Sequence, residues 1–157
     1  MTRSPEPWQG FLRLDEQICF SLHAATRAFN GLYRVLLKDL DLTYPQYLVM
    51  LVLWEERGPV PVKRLGERLR LDSGTLSPLL KRLEAAGLVT RERSAADERS
   101  VEVGLTPAGR ELRERALEVP RRIGAATDLD LAEIRDLQAR LDRLTRALDA
   151  ATADPGL

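Results

Sequence analysis

The chain has 157 residues, 44% of them apolar and 31% charged, enough to bury the core of one ordinary domain and too apolar for dominant disorder. Its 24 basic and 24 acidic residues cancel, which excludes nucleic-acid binding by bulk charge but leaves room for a local basic surface. The longest apolar run, Tyr47 to Trp54, falls far short of the ~20 residues a membrane span needs, and Thr2 to Trp8 hold no apolar signal core. A cytoplasmic chain with no membrane partner is expected.

Helical periodicity dominates. Leu14, Ile18, Leu22, Ala25, Phe29, Leu32, Leu36 and Leu40 recur every three or four residues, one face of a long first helix. Asp15 and Glu16 suit its positive start and Lys38 its last turn. Thr43 with Gln46 makes a capping box and Pro45 falls in the first turn, opening a second helix that should reach about Arg57 before Gly58-Pro59. A short helix follows from about Pro61 to Leu69. Asp72-Ser73-Gly74-Thr75 then leads into a helix reaching Ala86, with Gly87 as its stop. If Thr75 is the cap, Pro78 lies in the first turn and costs little.

Two β-prone runs come next, Leu88 to Arg93 and Ser100 to Leu105, separated by turn-like residues and predicted to form a hairpin. Thr106-Pro107 opens a further helix that Pro120 should end or kink. Asp130 and Glu133 resemble another capping pair, before a seam of Ile134, Leu137, Leu141, Leu144 and Leu148 that should pack on another helix of this chain or of a second copy. The predicted fold is mainly α with a small β-hairpin wing. A winged helix-turn-helix region (43–106) is flanked by helical regions (12–42 and 107–151) suited to dimerisation.

Charge is sorted along the chain. From Pro61 to Arg99 nine basic residues face six acidic ones, an excess of three within a neutral chain. The helix after Asp72 carries Ser73, Gly74, Thr75 and Ser77 at its leading edge and Lys81 and Arg82 farther along, while Leu76, Leu79, Leu80 and Leu83 form a buried side. Short hydroxyl side chains there can meet phosphates or base edges. In the hairpin, Arg91 and Arg93 lie on the incoming strand, and Asp97 can hold Arg99 at the tip by a charge-assisted bond. An arginine so placed can enter a minor groove.

Cys19 is the only cysteine, so no internal disulfide can form. A free cysteine is most often a small buried hydrophobe. Cys19, Thr26 and Tyr33, however, recur every seven residues, near one face of the first helix. Roughly 21 Å of helix separates Cys19 from Tyr33, so they cannot touch within one copy. Two copies crossing antiparallel about a two-fold near Thr26 would bring Cys19 of one to Tyr33 of the other. Tyr44 stands beside Pro45 at the positive start of the second helix. Phenol donors and a helix N-terminus favour a thiolate, the form that peroxides oxidise. Both tyrosines also suit ordinary core-edge positions.

The run Leu71-Asp72-Ser73-Gly74-Thr75-Leu76-Ser77-Pro78-Leu79-Leu80-Lys81-Arg82-Leu83-Glu84, with Gly87-Leu88-Val89-Thr90-Arg91, Asp97-Glu98-Arg99-Ser100 and Leu105-Thr106-Pro107-Ala108-Gly109, resembles the MarR family of winged-helix regulators. It is most similar to the OhrR branch, which senses organic hydroperoxides, and to its one-cysteine type. The resemblance runs from about Leu14 to the helix after the wing. It implies a homodimer that represses transcription, with the Ser73–Ala86 helix in a major groove of double-stranded operator DNA and Arg99 in the flanking minor groove. It also implies that Cys19 is the peroxide-reactive residue and that Tyr33 and Tyr44 hydrogen-bond to it. His23 stands where some relatives carry an aromatic hydroxyl and takes no assigned role.

With one cysteine, sulfenic acid formed at Cys19 would be capped by a low-molecular-weight thiol or oxidised further. A second reading keeps the DNA binding and makes a small phenolic or apolar ligand the releasing signal, without cysteine chemistry. A third is a one-cysteine thiol peroxidase. The sequence carries no metal-ligand cluster, Gly-rich phosphate loop or catalytic triad signature, so no enzyme, metal or cofactor is expected.

Overall fold

The computed structural model describes residues 9–154, so the Thr2–Trp8 stretch lies outside the described residues. The chain forms two compact units, one up to Leu117 and one from Glu118. Among the described residues no helix is long and apolar enough to cross a membrane.

The first unit opens with two 3-10 turns, Gln9–Leu12 and Leu14–Glu16, ahead of α1 (Ile18–Leu36). The expected helix from Leu14 to Leu40 is therefore shorter. Asp15 and Glu16 precede it, Gln17 is its extended N-cap, and Lys38 lies in a third 3-10 turn, Lys38–Leu40. A 3-10 turn keeps residues three apart on one side, so the apolar spacing runs on past both helix ends. Asp41, in the left-handed region at φ 53°, reverses the chain.

Helix α2 (Tyr44–Glu55) begins at the expected capping box. The Gln46 N–H donates to Thr43 Oγ1 at 3.4 Å and the Thr43 N–H to Gln46 Oε1 at 2.9 Å. The helix stops short of Arg57 because Glu56 is extended. Strand β1 (Val60–Pro61) then occupies the position where a helix was expected to start, and α3 (Val62–Leu69) follows. Proline at a sheet edge loses no ladder bond, and two residues are too few to show a period in sequence.

Helix α4 (Ser73–Ala85) is capped by Asp72, whose carboxylate accepts from the Thr75 N–H at 2.8 Å and the Thr75 hydroxyl at 3.2 Å. These bonds, the backbone one foremost, hold the Asp72 carboxyl below its ordinary pKa. Pro78 is consequently interior to the helix, not in its first turn, and withholds one backbone bond. Gly87 at φ 74° ends the segment as expected.

The hairpin strands β2 (Val89–Arg93) and β3 (Val101–Leu105) pair antiparallel with Arg91 opposite Val103, and β1 joins the other side of β3. Helix α5 (Pro107–Ala116) starts at Thr106, whose hydroxyl oxygen accepts from the Gly109 N–H at 3.0 Å. The fully buried core draws on Leu37, Val49, Met50, Leu53, Val60, Leu65, Leu76, Leu80, Leu83, Val89 and Val103. All four leucines predicted for the inner side of α4 are buried.

The second unit holds α6 (Glu118–Ala126) and α7 (Leu131–Ala153). The break falls at Leu117, and Pro120 sits in the first turn of α6 instead of ending the preceding helix. There its missing N–H costs nothing. The predicted Asp130–Glu133 capping box starts α7, with bonds of 2.8 and 2.9 Å. None of the 23 residues of α7 is buried; of the predicted seam, Ile134, Leu141 and Leu144 are half-buried and Leu137 and Leu148 exposed.

Candidate functional site

Two constellations were expected, one on α4 and the wing and one joining Cys19 to Tyr33 and Tyr44. On α4, Ser73, Gly74, Thr75, Ser77, Lys81 and Arg82 are all exposed, opposite the buried leucines. The wing loop is ordered by its own bonds. The Ser94 N–H donates to the Ser100 carbonyl at 2.8 Å, the Ser100 N–H to the Asp97 carbonyl at 2.9 Å, and the Arg99 backbone N–H to Asp97 Oδ1 at 3.0 Å. Asp97 thus fixes the backbone of Arg99 and leaves its guanidinium exposed, where a bond to the guanidinium itself was expected.

Ion pairs sort the basic residues. Arg64 bonds Glu56 at 2.8 Å, and Arg68 bonds Glu55 at 2.7 Å, so these α3 arginines brace the end of α2. Arg91 is held by Glu84. Lys81, Arg82, Arg93 and Arg99 make no ion pair among the described residues and are exposed. Among these basic residues of 61–99, exposed positive charge outside the carboxylate pairings is therefore carried by α4 and the wing. Sequence counting cannot separate these two sets.

The second constellation lies on α1 and α2. Cys19 is exposed, its Sγ 3.8 Å from Gln17 Oε1, while the Gln17 amide nitrogen donates to the Phe11 carbonyl. Tyr33 and Tyr44 come together as a stacked pair, ring centroids 4.4 Å apart. Burial, and then the neighbouring phenols Tyr44 and Tyr47, push the Tyr33 hydroxyl up to about 12, and burial raises Tyr44 as well. Both hydroxyls stay protonated at neutral pH and can donate to an anion. Within one chain Cys19 is not part of this pair. It lies near the start of α1 and Tyr33 near its end, with Thr26 and His23 exposed between them.

Sequence reasoning missed Tyr47, which tilts against Tyr33 at 5.8 Å and meets Trp54 edge-on at 6.3 Å. It also missed the Trp54 indole N–H donating to the Gly109 carbonyl at 2.9 Å. The capping-box register, which places Tyr44 and Tyr47 three apart on one side of α2, carried that signal.

Comparison with known proteins gives a consistent answer. The profile of the transcriptional regulators SarA/Rot matches residues 31–116. The organic hydroperoxide resistance transcriptional regulator of Bacillus subtilis is 44% identical over 87% of this chain and 92% of its own length. The HTH-type transcriptional regulator TtmR of Methylorubrum extorquens is 51% identical over 91% of this chain and 71% of its own length. Among solved structures, AbfR of Staphylococcus epidermidis in its reduced, DNA-bound form is 35% identical, with a TM-score of 0.77 over 92% of this chain and 98% of its own. AbfR has also been solved overoxidised on DNA and in a disulfide form.

Proposed function

This chain belongs to the SarA/MarR-type winged-helix transcriptional regulators, and we propose that it is a homodimeric repressor that leaves operator DNA after an organic hydroperoxide oxidises Cys19. One observation carries this reading. Helix α1 carries an exposed cysteine near one end and, near the other, Tyr33 stacked on Tyr44 of α2, and no residue of α1 before Leu36 is buried. Ile18, Phe20, Phe29 and Val35 stay exposed on α1, and Leu131, Leu137 and Leu148 on α7. Uncovered apolar helices of this extent argue for a second copy. Antiparallel pairing of α1 about Thr26 then sets each Cys19 beside the other copy's Tyr33 and Tyr44.

In that pocket the phenol hydroxyls donate to the Cys19 thiolate, the form that peroxides oxidise. The thiolate sulfur attacks the hydroperoxide, an S–O bond forms as the O–O bond breaks, and the alkoxide leaves as the alcohol after taking a proton. Sulfur has been oxidised by two electrons. A low-molecular-weight thiol next condenses with the sulfenic acid, making a mixed disulfide and releasing water. A relative that remains on DNA when overoxidised supports the bulkier mixed disulfide as the releasing product. Bulk added between the copies shifts the two α4 helices, which must meet major grooves about 34 Å apart.

The test uses the intergenic DNA upstream of the chain's own gene. Cys19→Ser should bind it like the natural chain and stay bound when cumene hydroperoxide and a small thiol are added together, with intact mass showing no adduct. Release of Cys19→Ser by the peroxide would refute the sensing role. Release by a phenolic compound alone would favour the ligand reading.

A further inference from the structure

Arg91 was read from sequence as one of the DNA-contacting arginines of the wing. Its surroundings give it a different task. The guanidinium makes two bonds to Glu84, Nη2 to Oε1 at 3.0 Å and Nε to Oε2 at 3.3 Å, and the Arg91 backbone N–H adds a third to Oε2 at 3.1 Å. Glu84 lies in the last turn of α4, and Arg91 is at the centre of β2. One carboxylate therefore takes hold of both the side chain and the main chain of the strand. The Arg91 side chain is only 27% exposed. The bonds from Arg91 hold the Glu84 carboxyl below its ordinary pKa, so the pair is fully charged at neutral pH.

Two-point attachment of this kind fixes direction as well as distance, since the planar fork of an arginine matches a carboxylate edge. Gly87, at φ 74°, makes the connection between α4 and β2 a tight reversal anchored at its root by the Leu88 N–H donating to the Leu83 carbonyl at 3.0 Å, and the Glu84–Arg91 bonds join helix and strand again beyond that root. Arg93, two residues on, shares a face of β2 with Arg91 but is exposed and makes no ion pair among the described residues. The two arginines are thus alike in sequence and opposite in situation.

We infer that Arg91 is a positioning residue which, through Glu84, locks the wing to the DNA-reading helix as one rigid unit, and that it is not itself a phosphate ligand. This rests on the DNA-binding reading above. A rigid unit transmits a displacement of α4 to the wing tip undiminished. It holds Arg99 at a constant offset from Ser73 and Thr75, so groove and flank are engaged or lost together.

The experiment compares Arg91→Ala, Arg91→Lys, Glu84→Gln and the charge-exchanged Glu84→Arg/Arg91→Glu with Arg93→Ala. DNA affinity is measured across a salt series on the intergenic fragment, and amide hydrogen exchange is followed over 89–105 in the free proteins. The expected result is a weakening of about tenfold for Arg91→Ala, Arg91→Lys and Glu84→Gln with an unchanged slope of log affinity against log salt, because no phosphate contact is lost. Wing amides exchange faster in all three, and the exchanged pair recovers much of both properties. Arg93→Ala instead lowers the slope by about 1 and leaves wing exchange alone. If Arg91→Ala lowers the slope by about 1, Arg91→Lys retains it and Glu84→Gln binds no worse, Arg91 is a phosphate ligand and the inference fails. Unaltered wing exchange in Arg91→Ala overturns it even without DNA, and failure of the natural chain to bind DNA would count against the parent reading alone.

Discussion

Tyr33 and Tyr44 stack with ring centroids 4.4 Å apart and planes 28° from parallel, although one closes α1 and the other opens α2. The 3-10 turn Lys38–Leu40 and the left-handed Asp41 fold the chain back so that the two rings meet. Tyr47 and Trp54 continue the contact inward, Tyr47 being 3% exposed. The pair packs against Tyr47 on the core side, and both of its residues stay half-buried.

Its ionisation should be visible. Below pH 10.0 folded and unfolded chains both keep the Tyr33 proton; between there and about 12 the unfolded chain loses it first. The unfolded state then binds fewer protons, so stability falls across that window and is complete below it. Tyrosinate absorbance should show one phenol titrating near the upper limit, and denaturant midpoints should drop over the same interval. Tyr33→Phe should remove the late-titrating step. An ordinary titration of all three tyrosines would contradict the packing described.

Replacing either phenol by phenylalanine keeps the stack but deletes a donor. Tyr33→Phe and Tyr44→Phe should each slow Cys19 sulfenylation by roughly tenfold, the worth of one hydrogen bond to a charged group. Operator affinity before oxidation should not change, because neither residue lies on α4 or the wing. Stopped-flow oxidation followed by mass spectrometry measures the first quantity, and a gel shift the second. Equal rates in all three proteins would remove the tyrosines from the sensing pocket.

What could be read in advance was local chemistry. The capping boxes at Thr43 and Asp130, the stop at Gly87 and the cap at Thr106 each depend on residues within one turn, and all stand where expected. Asp72 and Thr75 offer the same capping chemistry three residues apart, and spacing alone could not choose between them. Strand β1 owes its existence to Val103, far along the chain, so nothing in Val60-Pro61 announces it. The same holds for the arginines. Charge is a property of the residue, whereas pairing with Glu84, Glu55 or Glu56 is a property of the fold. Cys19 had a position in sequence but no surroundings, since its expected neighbours belong to another copy.

That sorting of charge makes the salt dependence of DNA binding a direct readout. Arg99→Ala and Arg93→Ala should each lower the slope of log affinity against log salt by about 1, as lost phosphate or groove contacts do. Arg64→Ala and Arg68→Ala remove equal charge from side chains engaged by Glu56 and Glu55 at 2.8 and 2.7 Å. Their slopes should stay at the natural value, and their effects on stability should be small because exposed pairs contribute little. Equal slope losses for all four would mean that bulk charge, not placement, governs binding.

The root of the wing should be the least tolerant point of the DNA-reading region. The Thr106 hydroxyl donates to the Gly87 carbonyl at 2.6 Å, and the Thr106 N–H donates to the Leu88 carbonyl at 3.1 Å, drawing the start of α5 onto the end of α4. So close is the approach that a Cβ on Gly109 would overlap the Leu88 carbonyl oxygen, which is main chain and cannot swing aside. The Trp54 indole N–H also donates to the Gly109 carbonyl at 2.9 Å, a bond that a shift of α5 would strain. Gly109→Ala should therefore cost about 3 kcal/mol, the overpacking penalty at a site with no relief. DNA affinity should fall with it, because β2 begins at the displaced turn. Gly124→Ala makes the comparison, since nothing lies within 4 Å of its Cβ position and helix propensity alone should raise stability by up to about 1 kcal/mol. Urea unfolding of the two variants measures both. A Gly109→Ala chain as stable as the natural one would show that α5 and the wing root are not joined as tightly as these bonds imply.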